Sequence, residues 1–438
     1  MIGTSLSGVT FMSVPGEVAT KHFTYMQVVI GYFLGYLVVA RVLIPLYYRM
    51  NVTSIYSYLR DRLGLYSYKT GASFFLLSRT LGASIRIYLV LIVLQHFLLD
   101  AVGIPWFFSV FLILLMILLY TVKGGVKTIV WTDTLQTTGM ILAMVITIVL
   151  IKNELGFSFS NLFDAIGAKG YMETIQASDW RSGSFFLKQI LGGAFVTITM
   201  TGMDQEMMQK NISVNTVYNS QRNMILFSVV LVFVNLLFLL LGGALYIYAS
   251  SKGIGLPARS DETFPMIALN HLPGIARLIF IIGLVSALFP SADGALTALT
   301  SSFCIDILGI RERTDITEER KETIRKTVHI TIAILFFILI LSYKHLIEAS
   351  VISTILKVAG YTYGPLLGLF AFGLVTRRSV ANNWTVPVIC ILSPFLCWLL
   401  AENAATLLNG YQFGFELLVV NGLITFIGLM LVSKRPAN

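Results

Sequence analysis

The chain has 438 residues, of which 56% are hydrophobic and only 12% charged, and its mean hydropathy is +0.81. A soluble protein of this length would carry roughly twice that charged fraction. Apolar runs as long as a membrane-spanning helix recur from end to end, and the sequence lacks the short alternating strands of a β-barrel. It therefore predicts an all-α polytopic membrane protein whose partner is the lipid bilayer.

The net charge of +9 does not indicate a nucleic-acid partner, because the basic residues cluster in alternate loops. The three cysteines, at 304, 390 and 397, all fall in apolar runs. No disulfide framework or metal-ligand spacing is visible among them. These patterns exclude the common soluble classes of nucleic-acid-binding and disulfide-rich proteins.

Hydropathy predicts twelve spans in chain order, the first of them incomplete. The opening "MIGTSLSGVTFMSVPG" is membrane-like but too short to span before Pro15, so we expect sequence upstream of it. Residues 49–67 are predicted to form a short amphipathic helix, and residues 152–182 a polar loop on the opposite side. The predicted spans are 1–15, 24–48, 68–99, 104–122, 128–151, 183–208, 221–250, 264–308, 322–343, 346–376, 384–402 and 410–433.

The loops divide into two sets by charge. One set carries 18 lysines and arginines and the other 7. The richer set is predicted to be cytoplasmic, which places the C-terminus inside. The basic run "RERTDITEERKETIRK" is read as a solvated cytoplasmic loop.

Glycines, prolines and small polar residues interrupt the first and sixth spans, which cross the bilayer in opposite senses. This pattern is typical of a five-plus-five inverted repeat whose binding site lies where two broken helices meet. The alternative is that these glycines serve close helix packing alone. The residues concerned are Gly3, Gly8, Pro15, Gly16, Gly192, Gly193 and Gly202.

Among the carboxylates inside spans, where charge is costly and usually functional, two stand out. Asp133 lies near the inner end of the fifth span, and Asp293 lies in the inner half of the eighth, beside Ser291. A sodium ion between them would relieve their mutual repulsion. The alternative is that Asp293 forms an ion pair with a buried cation such as Arg86.

Two cations also lie at mid-depth, Arg86 in the third span and Lys357 in the tenth. They are predicted either to bind an anionic substrate or to neutralise carboxylates of the protein. Four other basic residues lie nearer span ends, where a long side chain can reach the interface. These are Arg41, Arg79, Lys188 and Arg277.

At these residues the sequence resembles the sodium/solute symporter family, which includes the sodium/glucose, proline and sialic acid symporters. The segments that carry the resemblance are "SLSGVTFMSVPG", "GGVKTIVWTDTLQ", "TGMDQEMMQKNIS" and "SALFPSADGALTALTSSFCIDI". The resemblance implies the leucine-transporter-type fold with a missing N-terminal extra helix. It implies repeats at 1–152 and 183–378, an extracellular loop at 153–182, and two peripheral helices in 379–438.

The resemblance also implies three sets of site residues. The first sodium site falls at Gly3, Leu6, Ala287, Pro290 and Ser291. A second sodium site falls at Asp133, Ser291, Asp293 and Gly294. Substrate contacts fall at Thr10, Arg86, Thr197, Met200 and Lys357.

The predicted function is sodium-coupled import of a small organic solute by alternating access. Met200 stands where sugar-transporting members often have an aromatic inner gate, which argues against a glucose-like substrate, and Arg86 favours an anionic sugar acid such as sialic acid. The alternatives are a proton-coupled transporter and a solute sensor. An enzyme is not indicated, since no nucleophile–base set appears. The predicted location is a bacterial inner membrane.

Overall fold

The computed structural model describes residues 6–50, 54–123, 126–344, 346 and 350–435, and for residues 120, 122–123, 126–132 and 290 it describes the backbone alone. The described part is helical, apart from one β-bridge between Ser379 and Lys434. Its helices of seven or more residues are α1 Gly8–Gly16, α2 Tyr25–Val38, α3 Ile44–Met50, α4 Ser57–Leu63, α5 Leu65–Leu94, α6 Trp106–Lys123, α7 Val126–Glu154, α8 Phe159–Ala168, α9 Phe186–Met200, α10 Gln205–Ile212, α11 Val217–Lys252, α12 Thr263–Asn270, α13 Gly274–Ser302, α14 Glu318–Tyr343, α15 Val351–Thr362, α16 Gly364–Val375, α17 Thr385–Leu407 and α18 Leu417–Val432.

The helices account for the predicted spans. Seven continuous helices in the described residues are long and apolar enough to cross a membrane, and α15 with α16, bent by 48°, makes an eighth. Shorter apolar helices occupy the predicted fourth, sixth and twelfth spans, and α1 occupies the first. The predicted span 264–308 is too long, because α12 forms a separate helix and the span itself starts at Gly274, directly after Pro273.

Two connecting segments form helices of their own. The amphipathic helix predicted within 49–67 is α4, which buries Tyr58, Leu59 and Leu63. Helix α8 was not predicted and lies in the polar loop 152–182. The side chain of Ser158 caps it by accepting a hydrogen bond from the Asn161 N–H at 3.1 Å, and Leu162 and Ile166, one turn apart, are its buried face.

The sixth span is broken between α9 and α10, at residues 201–204. Asp204 starts α10 by accepting a hydrogen bond from the Met207 N–H at 3.0 Å. The tyrosine hydroxyls of Tyr47 and Tyr56 donate to the freed carbonyls of Gly202 and Met203, both at 2.8 Å. The break is therefore stabilised without leaving these two carbonyls unpaired in the bilayer interior.

The other glycines of this span have a different role. Gly193 lies inside α9, where a Cβ atom would come within 2.4 Å of the Val28 carbonyl of α2. Gly192 likewise meets Phe415, with only 2.4 Å to its Cβ. The prediction that these two glycines contribute to the break was wrong, because they permit close helix contact instead.

Helix α1 lies at the centre of the bundle and is buried along its whole length. Ser7 caps it in an extended conformation, so the backbone at Leu6 and Ser7 is not helical. Helices α11, α5, α15 and α13 pack around it. The interrupted start of the first span is thus surrounded by other helices and shielded from lipid.

Candidate functional site

A cavity of about 110 Å³ lies between the start of α1 and the helices around it. The break of the sixth span forms one side of it, through Met200 and Thr201. The described start of the first span and the break of the sixth therefore meet at one internal space, as the inverted-repeat pattern predicts. The lining residues used below are Thr10, Tyr25, Tyr32, Arg79, Arg86, Thr197, Met200, Asn235, Ile352 and Leu356.

The predicted substrate residues divide between two cavities. Thr10, Arg86, Thr197 and Met200 all line the central cavity. Lys357 lies elsewhere, in a cavity of about 360 Å³ that it shares with Glu402 and residues of the α17–α18 connection. The structure therefore brings four of the five together in one cavity.

Arg86 is the cation of the central cavity that has no counter-charge. It forms no hydrogen bond or ion pair with any residue that the structure describes. The predicted alternative, a pair between Arg86 and Asp293, is not formed in this structure. Arg79, two turns earlier on the same helix, takes the nearby carboxylates instead.

Three residues separate the central cavity from a larger neighbouring one. Tyr25, Ile352 and Leu356 line both this cavity and a larger one of about 540 Å³ that also contains Glu17 and Lys21. The hydroxyl of Tyr25 lies 3.3 Å from that of Tyr32, within the central cavity. Access from the larger cavity to Arg86 therefore requires movement of this three-residue barrier.

A buried ionic network lies on the other side of the cavity. Arg79 pairs with Asp204 at 3.5 Å and with Glu206. Lys210 then pairs with Glu206 at 2.9 Å and with Asp133 at 3.0 Å. The network joins the third, fifth and sixth spans beneath the site.

Sequence reasoning missed most of this network. The sequence predicts that Arg79 reaches the interface, yet its side chain is only 5% exposed. One signal in the sequence could have indicated the network. Glu206 and Lys210 are spaced i, i+4 in a segment already rich in polar residues, which predicts an ion pair there. Asp133 was predicted to be functional without its lysine partner.

The predicted second sodium site contains oxygen atoms that lack partners. The described structure leaves Asp133 Oδ1, Asp293 Oδ2 and Ser291 Oγ without a hydrogen bond, although all three atoms are buried. Buried polar groups are normally paired, so unpaired ones need an explanation. Asp133 and Glu206 lie close enough to Asp293 to repel its carboxylate. Buried oxygens without partners are the kind of ligand that a cation would take.

Gly294 is the point where this group meets the ionic network. A Cβ atom at Gly294 would lie 2.1 Å from Oε1 of Glu206. Glu206 is bonded to Lys210, which is bonded to Asp133. Gly294 therefore lies against the network that contains Asp133, and its N–H donates to Oδ1 of Asp293 at 2.6 Å.

The predicted first sodium site is only partly described. Leu6 and Ala287 are buried, and Ser291 is shared with the second site. Gly3 lies outside the described residues, and only the backbone of Pro290, which is helical, is described. Helix α1 packs directly against α13, so the described members lie on facing elements. No cluster of three or more His, Cys, Asp or Glu side chains suited to a metal is found in the described residues.

Comparison with known proteins adds an independent observation. Residues 1–383 match the model of the sodium:solute symporter family. The chain is 26% identical over 401 residues to the sodium/sialic acid symporter SiaT of Proteus mirabilis, covering 89% of this chain and 78% of that protein. It is also 26% identical over 429 residues to the sodium/sialic acid symporter NanT of Aliivibrio fischeri, covering 94% and 81%.

A solved structure shares the fold. It is a substrate-bound, outward-open state of a Na⁺-coupled sialic acid symporter, which superimposes with a TM-score of 0.82 at 24% identity. The match covers 99% of this chain and 89% of that one. The arrangement of helices described above is therefore that of a known transporter architecture.

Proposed function

The chain belongs to the sodium:solute symporter family, and from that premise we propose that it imports a small anionic solute, a sugar acid of the sialic acid class, together with sodium. The predicted family and fold are confirmed. The protein is an integral membrane transporter of a small molecule, and sodium is its coupling ion. The identity of the solute and the residues that bind it are proposals.

Arg86 is the observation that supports an anionic solute. A guanidinium without a partner in an internal cavity is costly unless a ligand neutralises it. Its planar set of donors suits a carboxylate. Thr10, Thr197 and Asn235 line the same cavity and offer the hydrogen-bonding groups that sugar hydroxyls need. Similarity to two sodium/sialic acid symporters favours the same class of solute.

The size of the cavity places a condition on this proposal. Its volume of about 110 Å³ is below the roughly 300 Å³ typical of sites for larger ligands. A sugar acid therefore binds only when the barrier of Tyr25, Ile352 and Leu356 moves outward. A two- or three-carbon carboxylate would fit with less movement and is the second candidate.

We propose sodium binding at both predicted positions. The first uses Gly3, Leu6, Ala287, Pro290 and Ser291, and would hold the start of α1 against α13. The second uses Asp133, Ser291, Asp293 and Gly294, where the unpaired oxygens support it. Lys210 already neutralises part of the charge at Asp133, so a single monovalent ion is sufficient there.

The proposed cycle follows from these positions. Sodium fixes α1 in the arrangement that completes the cavity around Arg86, so the solute binds more tightly; by linkage the solute strengthens sodium binding equally. Opening on the other side then releases both. Each sodium ion moving across a potential of 100 mV contributes about 2.3 kcal/mol. The loop charges support a cytoplasmic C-terminus, and similarity to bacterial symporters favours a bacterial inner membrane.

Uptake by the purified protein in proteoliposomes tests the proposal. A labelled sialic acid, a short monocarboxylate and a neutral sugar are each offered with an inward sodium gradient, a potassium gradient or a pH gradient. Accumulation of an acid only with sodium is expected. Asp293→Asn should weaken the sodium dependence. Accumulation driven by the pH gradient alone would establish the proton-coupled alternative instead.

A further inference from the structure

A second polar cavity lies away from the central one, at the ends of α6, α13 and α14 nearest the basic loop that contains residues 309–321. Its volume is about 270 Å³, and it shares no lining residue with the central cavity. Its residues belong to α6, α13, the π-helical turn Phe303–Ile307 that follows α13, and α14, and they include no carboxylate. They are Thr121, Thr297, Thr300, Ser301, Cys304, Ile305, Arg325, Lys326 and His329.

His329 fixes the inner wall of this cavity. One ring nitrogen lies 2.8 Å from the hydroxyl of Thr121 on α6, and the other lies 2.9 Å from that of Thr300 on α13. Both hydroxyls also contact the carbonyl one turn earlier in their own helix. The wall is therefore already hydrogen-bonded, and a ligand would be recognised by the groups nearer the mouth.

Those groups are positively charged or carry polar hydrogens. Arg325 and Ser301 form no hydrogen bond or ion pair within the part of the chain that the structure describes. Arg325 acts electrostatically on both Cys304 and His329, which places its guanidinium beside the cavity. Lys326 also lines it and is paired with Glu322 at 2.8 Å. A guanidinium, an ammonium and a free hydroxyl together suit a phosphate group.

The surface beside the mouth is apolar. On α14, Ile330, Ile334 and Ile338 follow Lys326 at intervals of four residues and therefore lie on its face of the helix. All three are exposed, at 44%, 54% and 55%. Only 22% of the apolar part of this span is buried by the rest of the protein, so the face is open to lipid. A basic cavity thus continues directly into an exposed apolar stripe.

We infer that this cavity binds the phosphate of an anionic phospholipid whose acyl chain lies along the stripe of Ile330, Ile334 and Ile338. A basic group at the membrane surface attracts anionic lipid, and the unpaired guanidinium adds a directional contact to that attraction. A free phosphate ester has the same head-group chemistry but would gain nothing from the stripe.

Lipid binding to the purified protein tests the inference without any transport measurement. Phosphatidylglycerol, phosphatidylcholine and glycerol phosphate are titrated separately, and retained lipid is counted by native mass spectrometry. We expect saturable binding of one phosphatidylglycerol molecule per protein. Arg325→Gln should weaken it about tenfold or more, the effect of losing one charge-assisted hydrogen bond, and Ser301→Ala should weaken it by less.

Arg320→Gln is the matched control. It removes one positive charge from the same helix at an exposed position that does not line the cavity, so it should leave binding unchanged. If Arg320→Gln and Arg325→Gln weaken phosphatidylglycerol binding equally, the binding reflects general charge attraction, and the inference is overturned. Equal binding of phosphatidylcholine, or glycerol phosphate as effective as the lipid, would overturn it as well. If Arg325→Gln folds poorly, Ser301→Ala serves as the second test, and unchanged lipid binding in that variant overturns the inference.

Discussion

Arg86→Ala removes the unpaired cation of the central cavity and is the most direct test of the proposed solute class. Loss of one partner of a desolvated, hydrogen-bonded charge pair costs about 2–5 kcal/mol, roughly thirtyfold to several thousandfold in affinity. Because Arg86 lies partly open to its cavity, we expect the lower part of that range. The loss should be specific to acids, since a neutral sugar does not pair with the guanidinium.

The assay measures uptake of the acidic solute and, separately, sodium-dependent thermal stabilisation of the purified protein. Arg86→Lys, which keeps the charge but not the paired donors, should retain part of the uptake. Lys357→Ala is the control, since it removes a mid-depth cation that lines a different cavity. Loss of sodium stabilisation in Arg86→Ala, or equal loss of uptake for a neutral solute, would refute the reasoning.

Three further predictions concern stability in detergent, measured by thermal unfolding. Lys210→Met leaves its two carboxylate partners without that cation and should destabilise the protein by about 3–5 kcal/mol, with partial recovery when Asp133→Asn is added; an unchanged melting temperature would contradict the network. Gly294→Ala places a methyl group 2.1 Å from Glu206 Oε1 and should lower the free energy of unfolding by about 1–3 kcal/mol. Gly274→Ala is the control, because a Cβ there meets no atom within 4 Å and causes no such clash. Burial raises the pKa of Asp261, in the connection before α12, above its usual 3.8. The stability that this carboxyl contributes is therefore present below about pH 4 and is lost as pH rises through the folded pKa. Asp261→Asn should flatten the dependence of the melting temperature on pH, and parallel pH profiles of the two proteins would rule out this role.

The architecture was predictable because hydropathy and loop charge report directly on membrane insertion. The span boundaries were less accurate where a polar or proline-containing turn falls within an apolar run, as at Pro273. Helix α8 was missed because its burial depends on two apolar residues in an otherwise polar loop. The polarity of the residues along the chain is sufficient to predict membrane spans but not a short helix within a polar loop.

The site was predictable in its residue types and less so in its pairing. Asp133, Asp293 and Arg86 stand out because charge inside a span is costly. Which cation meets which carboxylate depends on the rotation and depth of several helices, and the sequence does not contain that information in a readable form. Arg79 pairs with Asp204 and Glu206 while Arg86, two turns away, remains unpaired.

The two tyrosine hydroxyls at the break of the sixth span have a mechanical consequence. Tyr47 belongs to α3 and Tyr56 directly precedes α4, so each ties a different segment of the first half of the chain to the interrupted backbone of the second half. Any tilt of α10 relative to these segments must therefore carry α3 and α4 with it or break the two bonds. The break of the sixth span is in this way mechanically coupled to the first half of the chain.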